Sequence, residues 1–142
     1  ELIADAPKVN LRANYSRFWS NVDGVPGPDN RLDQQPRQTA NLGVDYRMST
    51  VPLTLGGNYN WTQAFVVQQT AAQQYYQGVK RVADVYALWR FDANTQLRLS
   101  AANLLRADYQ TGNREIFGTT DQTADTLVRT YRTYAARMEI RF

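Results

Sequence analysis

Apolar and polar residues alternate with period 2 over six stretches of the chain, the pattern of strands with one apolar and one wet face. PKVNLRANYSRFW places Val9, Leu11, Ala13, Tyr15 and Trp19 on one side and Lys8, Asn10, Arg12, Asn14 and Ser16 on the other. TANLGVDYRM sets Ala40, Leu42, Val44, Tyr46 and Met48 against Asn41, Gly43, Asp45 and Arg47. PLTLGGNYNWT sets Leu53, Leu55, Gly57, Tyr59 and Trp61 against Thr54, Gly56, Asn58 and Asn60. In RVADVYALWRF the apolar side is Ala83, Val85, Ala87, Trp89 and Phe91, with Tyr86 and Leu88 blurring the alternation. QLRLSAANLL carries Leu97, Leu99, Ala101 and Leu105 opposite Arg98, Ser100 and Ala102. TYAARMEIRF carries Tyr134, Ala136, Met138, Ile140 and Phe142 opposite small or charged residues. The pattern predicts strands over 8–20, 38–48, 52–62, 81–91, 96–106 and 131–142, an all-β antiparallel up-and-down meander. Each run is near the roughly 9–11 residues with which a tilted strand crosses a bilayer, against about 5–6 for a soluble domain.

The connections are unequal. SNVDGVPGPDNRLDQQPRQ, QAFVVQQTAAQQYYQGVK and ADYQTGNREIFGTTDQTADTLVRT are long, while STV and DANT are short. Long loops at one end of a sheet and tight turns at the other are the asymmetry of outer-membrane barrels. Within the long connections VVQQTAAQQYY is compatible with a short helix. Aromatic residues fall in two bands, Tyr15, Trp19, Tyr59, Trp61 and Tyr134 towards the loops and Trp89 and Phe91 towards the turns. Two aromatic bands around aliphatic and small residues are the girdles of a lipid-facing wall. For any single run, a half-buried strand of a soluble barrel explains the alternation equally well.

Composition removes several kinds of chemistry. The sequence has no Cys and no His, so thiolate chemistry, disulfides and the commonest general base and metal ligand are missing. No catalytic or metal-binding set, and no cofactor, is expected; Asp121, Asp125 and Glu115 read as solvated loop carboxylates. Sixteen basic residues are scattered among 13 acidic ones for a net charge of +3, without a run that marks a nucleic-acid partner. No apolar run approaches the roughly 20 residues of a spanning helix, which leaves strands as the only means of crossing a membrane.

LRLSAANLLRADY resembles the penultimate-strand signature of TonB-dependent outer-membrane receptors, an Asn-Leu pair (Asn103, Leu104) followed by Tyr109. QQPRQTANLGVDYRM resembles their Pro-then-strand entry, and Tyr134, Met138, Ile140 and Phe142 match the alternating signal read by the barrel-assembly machinery. The resemblance implies a bacterial outer-membrane location and partners in membrane lipid, the remaining barrel strands, a plug and, through it, the TonB complex. It implies no enzymatic activity and uptake of a scarce nutrient such as an iron-siderophore complex. Such barrels have about 22 strands and even the smallest about eight, so six imply the last part of a larger barrel. Within it, Arg12, Arg98 and Arg137 are expected to face the lumen, towards the plug or an anionic cargo, or to form ladders with Asp45, Asp84 and Glu139. Trp61, Phe65, Tyr75, Tyr76, Tyr109 and Phe117 are candidates for stacking on a ligand at the loops. A passive pore or small oligomeric barrel, and a soluble β-barrel holding an apolar ligand, are the alternative readings.

Overall fold

The computed structural model describes residues 8–141, and among them every regular element is an antiparallel strand. Six long strands make one sheet: β1 (Lys8–Arg17), β2 (Gln38–Arg47), β3 (Leu53–Thr62), β6 (Lys80–Arg90), β7 (Thr95–Ala102) and β10 (Thr133–Ile140). Their spatial order, β1-β2-β3-β6-β7-β10, is that of an up-and-down meander. Four more strands form a second sheet inside the long connections: β4 (Phe65–Gln68), β5 (Gln73–Gln77), β8 (Tyr109–Phe117) and β9 (Thr120–Val128), in the order β4-β5-β8-β9. Both sheets are open, and β1 and β10 each pair on one side only among the described residues.

The register carries the alternation across the large sheet. One row reads Leu11, Val44, Gly57, Val85, Ala101 and Tyr134, and the next Val9, Tyr46, Leu55, Ala87, Leu99 and Ala136. All of these lie on the same face, because partners in an antiparallel ladder share a side. Leu53, Trp89, Leu97 and Met138 close this face at the turn end, and Tyr59 and Trp61 close it at the loop end. The rows from Leu53 to Trp61 span roughly 27 Å along the strand at about 3.4 Å per residue, near the height of an apolar membrane band once tilted. This face is uncovered: Leu11 and Tyr134 are each 69% exposed, and Leu42, Val85, Leu99 and Met138 are exposed beside them.

Buried hydrophobic residues among those described are Phe65 and Val67, both on β4. The chain exposes 10153 Å², against roughly 7,500 Å² for a compact monomer of 16.2 kDa. Among the described residues the larger sheet thus leaves one apolar face uncovered, and the core is confined to the second sheet.

Besides one-residue shifts at other ends and a sixth strand that spans Thr133–Ile140 rather than 131–142, three segments differ from the sequence pattern. The first strand stops at Arg17: after Phe18 N–H bonds Arg37 O at 2.9 Å, Ser20 turns to the side chain of Gln35. The fifth long strand ends at Ala102 rather than 106, because Asn103 adopts φ 54 and its N–H turns to the Asp84 carboxylate at 2.8 Å. The segment expected to allow a short helix instead folds as the β4–β5 hairpin, in which Val67 pairs with Tyr75 and Val66 with Tyr76. Phe142, the last position of the sixth predicted strand, lies outside the described residues.

Candidate functional site

The polar face of the large sheet holds the densest side-chain chemistry. Gly56 on β3 is directly opposite Tyr86 on β6, and the ring lies flat over it: a Cβ added at Gly56 would sit 2.1 Å from the ring. With the space above β3 open, the Tyr86 hydroxyl crosses to β2 and donates to Asp45 Oδ1 at 2.6 Å. Asp45 also pairs with Arg12 of β1 at 2.7 Å. Over the same Tyr86 ring stands the Arg98 guanidinium of β7, 4.3 Å from the centroid. One chain of contacts, Arg12–Asp45–Tyr86–Arg98, therefore crosses five strands and depends on one glycine. Tyr86 blurred the sequence pattern because it belongs to the wet face. Leu88, two residues on, shares that face opposite Arg98.

The structure resolves the arginine candidates unequally. Arg12 forms the expected ladder with Asp45. Asp84 instead accepts from the Asn103 backbone, and Glu139 accepts from Gln96 Nε2 at 2.6 Å. Arg98 and Arg137 face each other across the β7–β10 ladder with neither acid paired to them among the described residues.

The turn end is tight. Asp92 Oδ1 accepts from Asn94 N at 2.7 Å and from Thr95 N at 2.8 Å, fixing the β6–β7 turn as an Asx turn. These bonds, Asn94's first, hold the Asp92 carboxyl below its ordinary value by favouring the charged form.

At the other end the long connections tie together. Residues 18–37 reach β4 through Gln68 N–H to Asp29 O at 2.7 Å and Gln69 Nε2 to Asp33 at 3.0 Å. Arg31 is buried there and donates to Phe18 O at 2.6 Å; burial, then the charge of Arg37, lowers its pKa, with Asp29 opposing. The β4–β5 hairpin pairs with the β8–β9 hairpin along β5 and β8, where Tyr76 lies over Gly112 as Tyr86 lies over Gly56. Arg114 and Asp121 clamp the second hairpin through two nitrogens and two oxygens, Nε to Oδ1 at 2.9 Å. Their hydrogen bond raises the Arg114 pKa and lowers that of Asp121. Glu115 accepts from Gln73 at 2.7 Å on the opposite face of this sheet.

The aromatic candidates are dispersed. Phe65 is 6% exposed and packs on Tyr75 with ring centroids 6.1 Å apart, so it builds the loop core and offers no free face. Burial raises the Tyr75 pKa first, with Tyr109 and Asp33 adding to it. Tyr76 lines a 560 Å³ pocket with Asp29, Arg37, Gln63 and Gln110, and Gln63 Oε1 is buried without a hydrogen-bond partner. Tyr109 lies under Lys80 at 5.6 Å, Phe117 is exposed at the tip of the β8–β9 hairpin, and Trp61 stands on the apolar face of β3. Asn103 and Leu104 form the corner that ends β7: Asn103 Nδ2 donates to Tyr131 O at 3.0 Å, and Leu104 N–H to Ala83 O at 2.8 Å. The Tyr86–Gly56 pair was the feature missed by sequence reasoning, although an aromatic out of phase on one strand and a glycine in phase on another were both visible.

Set against known proteins, the chain matches no family model, no curated protein and no solved structure at a significant level.

Proposed function

We propose that the six-stranded sheet is part of the wall of an outer-membrane β-barrel, and that the barrel is a nutrient receptor of the TonB-dependent kind. The observation that carries this reading is the uncovered apolar face, bounded by Trp89 at the turn end and by Tyr59 and Trp61 at the loop end. Water penalises such a face at roughly 25 cal/mol per Å², whereas hydrocarbon accepts it. The opposite face carries Arg12, Asp45, Arg98 and Arg137 and suits an aqueous lumen. In hydrocarbon the free edges of β1 and β10 require partner strands, because each unpaired backbone group there costs several kcal/mol. Those partners are the other strands of the barrel, and the loop sheet is the cargo-facing surface. The reading implies a plug, the TonB complex and the barrel-assembly machinery as partners, and an iron-siderophore complex or similar nutrient as cargo. A passive pore would share this wall and lack the plug.

Single cysteines in the full-length protein test the placement, since this chain has none of its own. On intact cells an impermeant maleimide should label Thr123→Cys on β9, and label Ala93→Cys in the β6–β7 turn only after permeabilisation. Leu42→Cys on the apolar face should react only after denaturation. Equal labelling of all three, with the protein in the soluble fraction, would refute the wall. Retention of iron-complex uptake by cells lacking the protein would refute that cargo and leave the wall standing.

A further inference from the structure

The Arg98–Arg137 pair is an unexpected arrangement. Like charges directly opposite in an antiparallel ladder repel, with Cβ atoms about 5 Å apart. Among the described residues the three carboxylates on this face are committed elsewhere: Asp45 to Arg12 and Tyr86, Asp84 to the Asn103 backbone, and Glu139 to Gln96. Glu139 also shares its pocket with Arg90, Asp92 and Arg141, two charges of each sign, and so leaves the Arg98–Arg137 pair uncompensated. Beyond the pair, Asp92 is held by its own turn. Arg98 is nevertheless positioned: its guanidinium stacks on Tyr86, whose hydroxyl is anchored on Asp45. On the other flank of Arg98 stands Leu88, a large aliphatic on an otherwise polar surface.

The geometry points to a two-pronged site for an organic carboxylate, with Arg98 and Arg137 taking the oxygens and Leu88 meeting its carbon skeleton. Planar guanidinium forks match a carboxylate in two-point hydrogen bonding, and an anion between them converts the repulsion into attraction. The apolar flank selects a carboxylate on a carbon chain over a hydrated inorganic phosphate. The group comes from a free ligand in the aqueous space or from an Asp or Glu elsewhere in the protein. The site rests only on this face being wet, so it stands or falls separately from the transport reading.

The test is thermal unfolding of the full-length protein in detergent, read by tryptophan emission at fixed ionic strength in chloride, acetate or butyrate. For a free ligand, Arg137→Gln melts at or above wild type in chloride, because a repulsion is gone. Butyrate then raises the wild-type Tm saturably and more than acetate does. In the variant the half-saturating concentration rises on the order of tenfold, the loss expected for charge-assisted hydrogen bonds. For a protein carboxylate, Arg137→Gln melts below wild type in chloride and butyrate adds little to either. Arg137→Lys keeps the charge and loses the fork, so in the free-ligand arm it should melt like wild type in chloride while its half-saturating butyrate concentration rises as in Arg137→Gln, and in the protein-carboxylate arm it should melt below wild type. The site is overturned if Arg137→Gln melts at or above wild type while the three anions act alike on wild type, or if Arg137→Lys matches wild type throughout.

Discussion

Gly56 offers the sharpest test of the polar-face network. In Gly56→Ala the new Cβ would sit 2.1 Å from Tyr86 Cε1, so the ring must lift. Lifting it breaks the 2.6 Å bond to Asp45 and the Arg98 stacking at 4.3 Å. The first is a partly buried hydrogen bond to a charged acceptor, about 1.5 kcal/mol; the second, at an exposed site, is about 0.5–1 kcal/mol. Against their sum of about 2–2.5 kcal/mol stands the gain from replacing glycine in a strand, about 0.5 kcal/mol. The single substitution should therefore cost about 1.5–2 kcal/mol. In a Tyr86→Ala background there is no ring to displace, and Gly56→Ala should stabilise by about 0.5 kcal/mol. The assay is guanidinium unfolding of the full-length protein in detergent, followed by tryptophan emission, for wild type, both single variants and the double. A coupling of about 2–2.5 kcal/mol between the two positions is expected; an additive result, within about 0.5 kcal/mol, would refute the account of Gly56 as the seat of Tyr86.

Gly112→Ala meets backbone as well as ring, its Cβ falling 2.7 Å from Ala124 O and 2.6 Å from Tyr76. It should loosen the loop sheet by about 1–3 kcal/mol, seen as faster amide exchange in β5 and β8 with β2 and β3 unchanged. Val85→Arg, at the centre of the apolar face, should cost about 2–4 kcal/mol in a lipid-facing wall; a change within about 0.5 kcal/mol would mark a solvent-exposed surface instead. The Asp121 carboxyl is held below its ordinary value of 3.8 in the folded state by its hydrogen bond to Arg114, so its contribution is full above that value and is lost as pH falls through the lower folded one. Proteolytic nicking of the β8–β9 hairpin should increase only in that acid window, and Asp121→Asn should nick at neutral pH as wild type does in acid.

The six long strands were legible because each carries its own alternation, and the short turns fixed which of them are neighbours. Tyr86 looked like a flaw in that alternation and is in fact in phase on the wet face, since its face is set by the strand and its stability by Gly56 directly opposite on the neighbouring strand. The second sheet was illegible for a different reason. QQYYQ and TDQTADTLV are polar on both sides, so no period marks them as strands. What makes them strands is pairing between distant segments, such as Gln73 with Glu115 and Tyr76 with Gly112. Propensity windows do not see that distance, and a Gln-rich run with two tyrosines satisfies a helix as well as a hairpin. The Asn103–Leu104 pair was legible as a motif, but its physical work, stopping β7 by turning Asn103 into the left-handed region, appears only in the backbone.

The pairing of β5 with β8 sets an order of assembly. β5 runs almost directly into β6, and β8 follows β7 after a short corner, with Gly78 N–H on Gln110 O at 2.7 Å just beyond the ladder. Zippering of β6 on β7 closes only a short turn, whereas pairing of β5 with β8 closes a loop that contains both of those strands, so the hairpins are expected to meet after β6 and β7 have paired. Local zippering is fast and distant closure slow, so the loop sheet is expected to form late, on a correctly registered six-stranded sheet. A slip of one residue between β6 and β7 would move Tyr76 off Gly112 and leave the second sheet unbuilt. Completion of the second sheet is thereby made conditional on accurate pairing of the long strands, a proofreading step written into the topology.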